Sequence, residues 1–233
     1  MGPFLDEANP AVQNGSIPMS PGANTMQDCF KAEFSSRLRT IPSTTQILLI
    51  PHVRDIISPH TVWPQDSFPR QTLDLPKNVR CLTNPTVFSL GETTIGISTN
   101  DILRPLSLEE CTKSPTNTAV YDRLPSYIMQ QRHFYPLFPG RTESRVSVQE
   151  SGLGEFVGGT PDVLVLVSEL QYFARVVDGV VVLNPGVVSK KASAGTFAKV
   201  YIAPKAKGEE GEMEVDAMKA DVWERCRVDL HRI

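Results

Sequence analysis

The chain contains no apolar run approaching the roughly 18 residues of a membrane span, and no basic stretch followed by an apolar one at its N-terminus. Those absences predict a soluble, unsecreted protein with no membrane role. The four cysteines, Cys29, Cys81, Cys111 and Cys226, are widely spaced and include no Cys-x-x-Cys pair. That excludes a zinc-ribbon pattern and fits reduced thiols better than a disulfide framework. Basic charge is not in excess either: at a net charge of −3 there is no bulk attraction to nucleic acid, so any DNA contact is expected through a larger assembly.

Chemistry-bearing patterns are equally sparse. A dinuclear metal centre needs His, Asp and Asn converging on ions roughly 3.5–4 Å apart. Of the four histidines, His52, His60 and His133 fall in loop positions without a second ligand at motif spacing, and His231 lies in a solvated tail. His133, between Arg132 and Phe134, reads as a hydrogen-bonded packing residue before it reads as a general base. Ser168 lacks the Gly-x-Ser-x-Gly elbow of a nucleophile, and Arg225 and Arg227 beside Cys226 would point to the other face of a strand. "NPGVVSKKASAG" holds Gly186, Lys190, Lys191 and Gly195 but not the Gly-x-x-x-x-Gly-Lys-[Ser/Thr] order of a phosphate loop, so a solvated turn is expected.

What is present is an α/β alternation. Residues 8–23 combine Pro, Gly, Asn and Ser and read as a loop. From Asn24 or Thr25 as N-cap, Met26, Cys29, Phe30, Phe34, Leu38 and Ile41 trace one face of a helix ending near Pro42. "TQILLIP" follows as a buried strand that ends abruptly in polar residues, "HVRD". Pro59, Pro64, Pro69 and Pro76 predict an irregular surface excursion over 58–79. "VRCLTNP" and "TVFSLGETTIGISTN" read as strands, the second folded into a hairpin. A helix is expected over 119–133, with Leu124, Tyr127, Ile128 and Gln131 on one face, then an aromatic cluster in "QRHFYPLFPG" and a polar loop over 141–160. "PDVLVLVS" and "GVVVLNPG" are the clearest strands, followed by "GTFAKVYIAP", a charged segment over 205–221 and a last strand around "VWERCRVDL".

Seven stretches in order, "GPFLD", "PHVRDI", "GISTNDIL", "QRHFYPLFPG", "PDVLVLVSELQYFARVVDGVVVLNPG", "GTFAKVYI" and the terminal "RI", resemble the B-subunit family of eukaryotic DNA polymerase alpha. The resemblance implies a calcineurin-like metallophosphoesterase fold, an α+β β-sandwich flanked by helices. It implies that residues 1–233 are the C-terminal part of that domain, incomplete at the N-terminus. The family's oligonucleotide-binding-type domain would lie upstream, and 205–221 would be an insertion.

The resemblance also gives the strand-exit loop a meaning. Active relatives of the fold carry Gly-Asn-His-Asp or Gly-Asn-His-Glu there. Here His52 stands for the Gly, Val53 for the metal-binding Asn and Arg54 for the His, while Asp55 keeps the acid. Val53 has no lone pair and Arg54 would repel a cation. Pro3 replaces the Asp of a Gly-Asp pair, and Ser168-Glu169-Leu170-Gln171 stands where Gly-His-x-His is expected.

The implied protein is a non-catalytic scaffold without cofactor. It would bind the C-terminal region of the polymerase catalytic subunit, and through it primase and DNA, in the nucleus. The alternative is an active metallophosphoesterase or nuclease with ligands outside these motifs. Trp63, Phe68, Tyr135 and Phe138 are candidate partner contacts, since aromatics anchor interfaces, or equally internal packing residues.

Overall fold

The structure, a computed structural model, describes residues 1–17, 23–111, 119–190, 193–204 and 221–233. The chain divides into two compact units, one of residues 1–86 with 139–153 and one of 87–138 with 154–233. Among the described residues no helix is long and apolar enough to cross a membrane.

In the first unit a short helix α1 (Pro10–Gln13) interrupts the expected loop, because Asn9 caps it through the Ala11 amide and Pro10 presets the first helical φ. The next helix starts where its sequence says it should. Thr25 and Asp28 form a reciprocal capping box at the head of α2 (Met26–Phe30), which runs on through a π-helical segment, Lys31–Ser35, into α3 (Ser36–Leu38). Its apolar face buries Phe30 against Leu49, Ile57, Phe68, Leu73, Leu75 and Val79. Phe4 meets Phe30, Phe34 and Phe68 edge-on at 5.6–6.0 Å between ring centres. Ile41, expected on that face, lies exposed beyond the helix end. Strand β1 (Ile47–Leu49) pairs in parallel with β2 (Val79–Cys81).

The expected surface excursion over 58–79 is instead part of this core. Trp63 and Leu73 are fully buried and Phe68 nearly so. The prolines exclude regular structure but leave the backbone satisfied from elsewhere. Trp63 donates to the Arg145 carbonyl and accepts from Ser147, both at 2.8 Å, and Gln65 and Asn84 exchange backbone bonds at 2.6 and 3.0 Å. The Ser35 hydroxyl donates to the Leu73 carbonyl at 2.8 Å.

The second unit is layered. Strands β3 (Thr86–Leu90), β4 (Thr93–Ser98), β5 (Val163–Leu166), β6 (Phe173–Val177) and β7 (Val180–Asn184) form an open sheet in the order β3-β4-β5-β7-β6. The hairpin turns at Gly91, whose φ of 62° suits glycine. β4, β5 and β7 run parallel, and the unforeseen β6 returns antiparallel to β7 through Asp178-Gly179. β6 is hidden in the sequence because Arg175 and Val176 face solvent and blur its apolar pattern.

One sheet face carries Ile95, Ile97, Val163, Val165, Val181 and Leu183. It packs on Val222 and on a ribbon of β10 (Thr196–Ile202) and β11 (Cys226–Arg232), through Ala198, Ile202, Cys226 and Val228. Cys226 therefore points inward and Arg227 outward, as strand alternation requires. A two-residue pair, β8 (Ser189–Lys190) and β9 (Ser193–Ala194), precedes the ribbon, and Lys191 lies outside the described residues.

The opposite sheet face meets α5 (Val120–Gln131), whose Tyr121 ring stacks on Phe173 at 4.7 Å. Gly96 on that face leaves room for the Phe134 ring, which a Cβ would approach to 3.2 Å. Leu124 and Ile128 are buried as expected, whereas Gln131 is exposed because the helix ends there and Arg132 turns left-handed. α4 (Leu103–Glu109), hidden in the sequence by Pro105, packs on α5. The result in this unit is a sheet stacked on a ribbon with helices on its other face, and the chain as described is of mixed α+β class. The charged segment of 205–221 lies outside the described residues except for Asp221.

Candidate functional site

The loop leaving β1 is buried rather than splayed toward solvent. Pro51, His52, Val53 and Asp55 are all inaccessible or nearly so, and Arg54 is half-buried. Asp55 organises them. Its Oδ1 accepts the amides of Phe4 and Leu5, and its Oδ2 accepts the amide of His52 at 3.0 Å. The bridge between Asp6 and Asp55 and the bond from the Ile56 amide to the Leu5 carbonyl, 3.1 Å, extend this into a seam between residues 2–7 and 50–56. Gly2 is required there: a Cβ would sit 2.1 Å from Asp55 Oδ2. Pro3 thus stands on a packed seam.

The charges around the seam are internally matched. Arg145 donates to Glu7 and, at 3.1 Å, to the Val53 carbonyl, while Arg54 pairs with Asp6 at 3.5 Å. His52 Nδ1 accepts the Arg54 amide at 3.0 Å. Burial and then the Arg54 charge hold the imidazole down at about 4, so it is neutral at pH 7. Burial pushes the Asp55 carboxyl up to about 6 against the pull of its three amide donors.

This donor set does not fit a metal. Val53 offers no ligand atom, Arg54 adds fixed positive charge, and both Asp55 oxygens are committed to backbone amides. Among the described residues no group of three or more His, Cys, Asp and Glu is arranged to hold an ion.

In the second unit the carboxyl ends of the parallel strands β4, β5 and β7 form a polar rim, the edge at which open α/β sheets bind ligands. Here that edge is tied to itself. Ser168 is buried; its amide donates to Asn184 Oδ1 at 3.2 Å and its hydroxyl accepts from Leu170 at 3.1 Å. Asn184, fully buried and missed in the sequence, also accepts from Gly186 at 3.0 Å and donates to the carbonyls of Ser168, Leu170 and Gln171. Its position at the end of a strand just before Pro-Gly is the one signal the sequence offers. Asp101 accepts from Glu169 at 2.8 Å and Arg104 at 3.1 Å, and the Glu169 carboxylate pairs with Arg104. Leu170 is half-buried and Gln171 is exposed.

Trp63 is 0%, Phe68 2% and Tyr135 3% exposed, which removes them as surface contacts; their size is spent on internal packing. Phe138, at 83% exposure, lies outside the aromatic cluster, whose pair is Phe134 with Phe156 at 4.8 Å. His133 Nδ1 accepts the Tyr135 amide at 2.9 Å. His60 is exposed, 3.5 Å from Asp66. His231, expected in solvent, stacks on Phe197 at 5.2 Å because β11 carries it across from that ring.

These features define a mixed α/β protein whose two polar strand-exit loops are closed by bonds between the Asp55 and Asn184 side chains and nearby backbone. Residues 1–175 match the model of the DNA polymerase alpha/epsilon B-subunit family. The chain belongs to that family. It is 39% identical, over its whole length, to the DNA polymerase alpha B-subunit of Schizosaccharomyces pombe, covering 40% of that protein. It is 34% identical to the Saccharomyces cerevisiae protein of the same name (98% of this chain, 38% of the relative) and 28% to that of Rattus norvegicus (91% and 35%). The chain therefore spans about 40% or less of the length of these relatives.

Proposed function

We propose that the chain serves as a non-catalytic accessory subunit in a nuclear DNA polymerase alpha assembly that initiates replication. On this reading residues 1–233 are part of an inactivated phosphoesterase-like domain. It binds the C-terminal region of the catalytic subunit and reaches primase and DNA through the complex. The family match over residues 1–175 supports the accessory role.

The observation that carries the non-catalytic part is the Asp55 seam. The one acid kept in the strand-exit loop spends both oxygens on the amides of Phe4, Leu5 and His52, beside an arginine and a valine that offer a cation nothing. The loop serves as a rigid joint. Such a joint suits a protein whose task is to hold partners in place.

Co-expression with the catalytic subunit's C-terminal region tests the partner assignment. A stoichiometric complex on size-exclusion chromatography is expected. Separate elution of two folded proteins would sink it.

A further inference from the structure

The outer face of the β10–β11 ribbon carries a pattern that the accessory role leaves unused. Strand alternation places Phe197, Lys199 and Tyr201 on that face from β10, opposite His231, Asp229 and Arg227 from β11. Tyr201 is 52% and Phe197 37% exposed, and the Arg227 side chain is 76% exposed. The rings are held upright by their neighbours. His231 stacks on Phe197 with 22° between planes, Lys199 Nζ lies 5.8 Å from the Phe197 ring centre, and the Arg227 guanidinium 5.9 Å from that of Tyr201.

Arg227 Nε donates to Asp229 Oδ1 at 2.9 Å, so that pair is matched and Lys199 supplies the one excess positive charge of this face, on a chain whose net charge is −3. The order aromatic, cation, aromatic along one strand separates the rings by about 13 Å. An extended single strand bridges that distance with roughly two nucleotides, its phosphate near the central lysine. The geometry points to direct binding of single-stranded nucleic acid on this face, bases stacking on Phe197 and Tyr201 and a phosphate meeting Lys199 between them. The contact is independent of the catalytic subunit.

Fluorescence anisotropy of the full chain with short labelled oligo(dT) and oligo(rU) tests it. Binding by either is expected. Phe197→Leu and Tyr201→Leu should each weaken it about tenfold or more, with Tyr201→Phe retaining wild-type affinity. Lys199→Gln should lower the slope of log affinity against log salt by about 0.7, one phosphate contact. The Tyr201→Phe arm separates loss of the ring from loss of the fold. No binding by the wild type, equal binding by the leucine variants, or equal competition by duplex or polyglutamate would overturn the assignment. So would loss of co-purification with the catalytic subunit in the ribbon variants, which would make the face a protein interface.

Discussion

The buried pair of Asp55 and His52 predicts a pH response that wild-type protein conceals and single substitutions expose. Asp55 titrates at about 6 in the fold, above the ordinary carboxyl value of 3.8. Its contribution to stability is therefore fully present below pH 3.8 and lost as pH rises through 6. His52 titrates at about 4, below its ordinary 6.5. Its contribution is present above pH 6.5 and lost as pH falls through 4. Each gap of roughly two pH units corresponds to about 3 kcal/mol. Between pH 4 and 6 the two slopes have opposite signs and nearly equal size, so they cancel.

Removing one partner reveals the other. An Asp55→Asn protein should lose about 3 kcal/mol relative to wild type on going from pH 6.5 to 4, beyond any constant offset. A His52→Asn protein should gain a similar amount, its amide oxygen replacing Nδ1 as acceptor for the Arg54 amide. Urea denaturation across this range reads the effect. Trp63 is fully buried in the same unit, and in a Trp223→Phe background it is the sole tryptophan of the two. Variant and wild-type stabilities that stay parallel with pH would refute the reasoning.

Other consequences follow from groups outside that loop. Asn184→Ala strands the amides of buried Ser168 and half-buried Gly186 together with carbonyls of the 168–171 loop, and should cost about 3 kcal/mol in chemical denaturation. Leu73→Ala should cost about 2–5 kcal/mol, because the proline-rich segment supplies core, whereas Phe138→Ala at 83% exposure should change stability by less than about 0.5 kcal/mol. A Leu73→Ala cost as small as that of Phe138→Ala would restore the surface reading of that segment.

The sequence makes some elements plain and hides others for definite reasons. β5 and β7 are legible because Val163–Leu166 and Val180–Asn184 are buried on both faces and read as unbroken apolar runs. α2 is legible because Thr25 and Asp28 cap it locally. The segment over 58–79 is not, since proline density forbids regular hydrogen bonding but says nothing about burial, and the partners that satisfy it, Arg145 and Ser147, arrive from far along the chain. The candidate site divides in the same way. That Val53 offers no lone pair and Arg54 adds positive charge is written in the loop itself. The role of Asp55 is not, because its acceptor oxygens are claimed by Phe4 and Leu5, some fifty residues upstream. Asn184 is invisible for the same reason, its loop partners lying 13–16 residues earlier across a strand pair.

The central claim is that the strand-exit loop is a joint and not a catalytic rim. Titrating the purified protein with manganese by calorimetry, with phosphodiester hydrolysis followed on the same sample, tests it most directly. No stoichiometric ion binding and no hydrolysis above the metal-free control are expected. Two ions bound per chain with metal-dependent hydrolysis would contradict it.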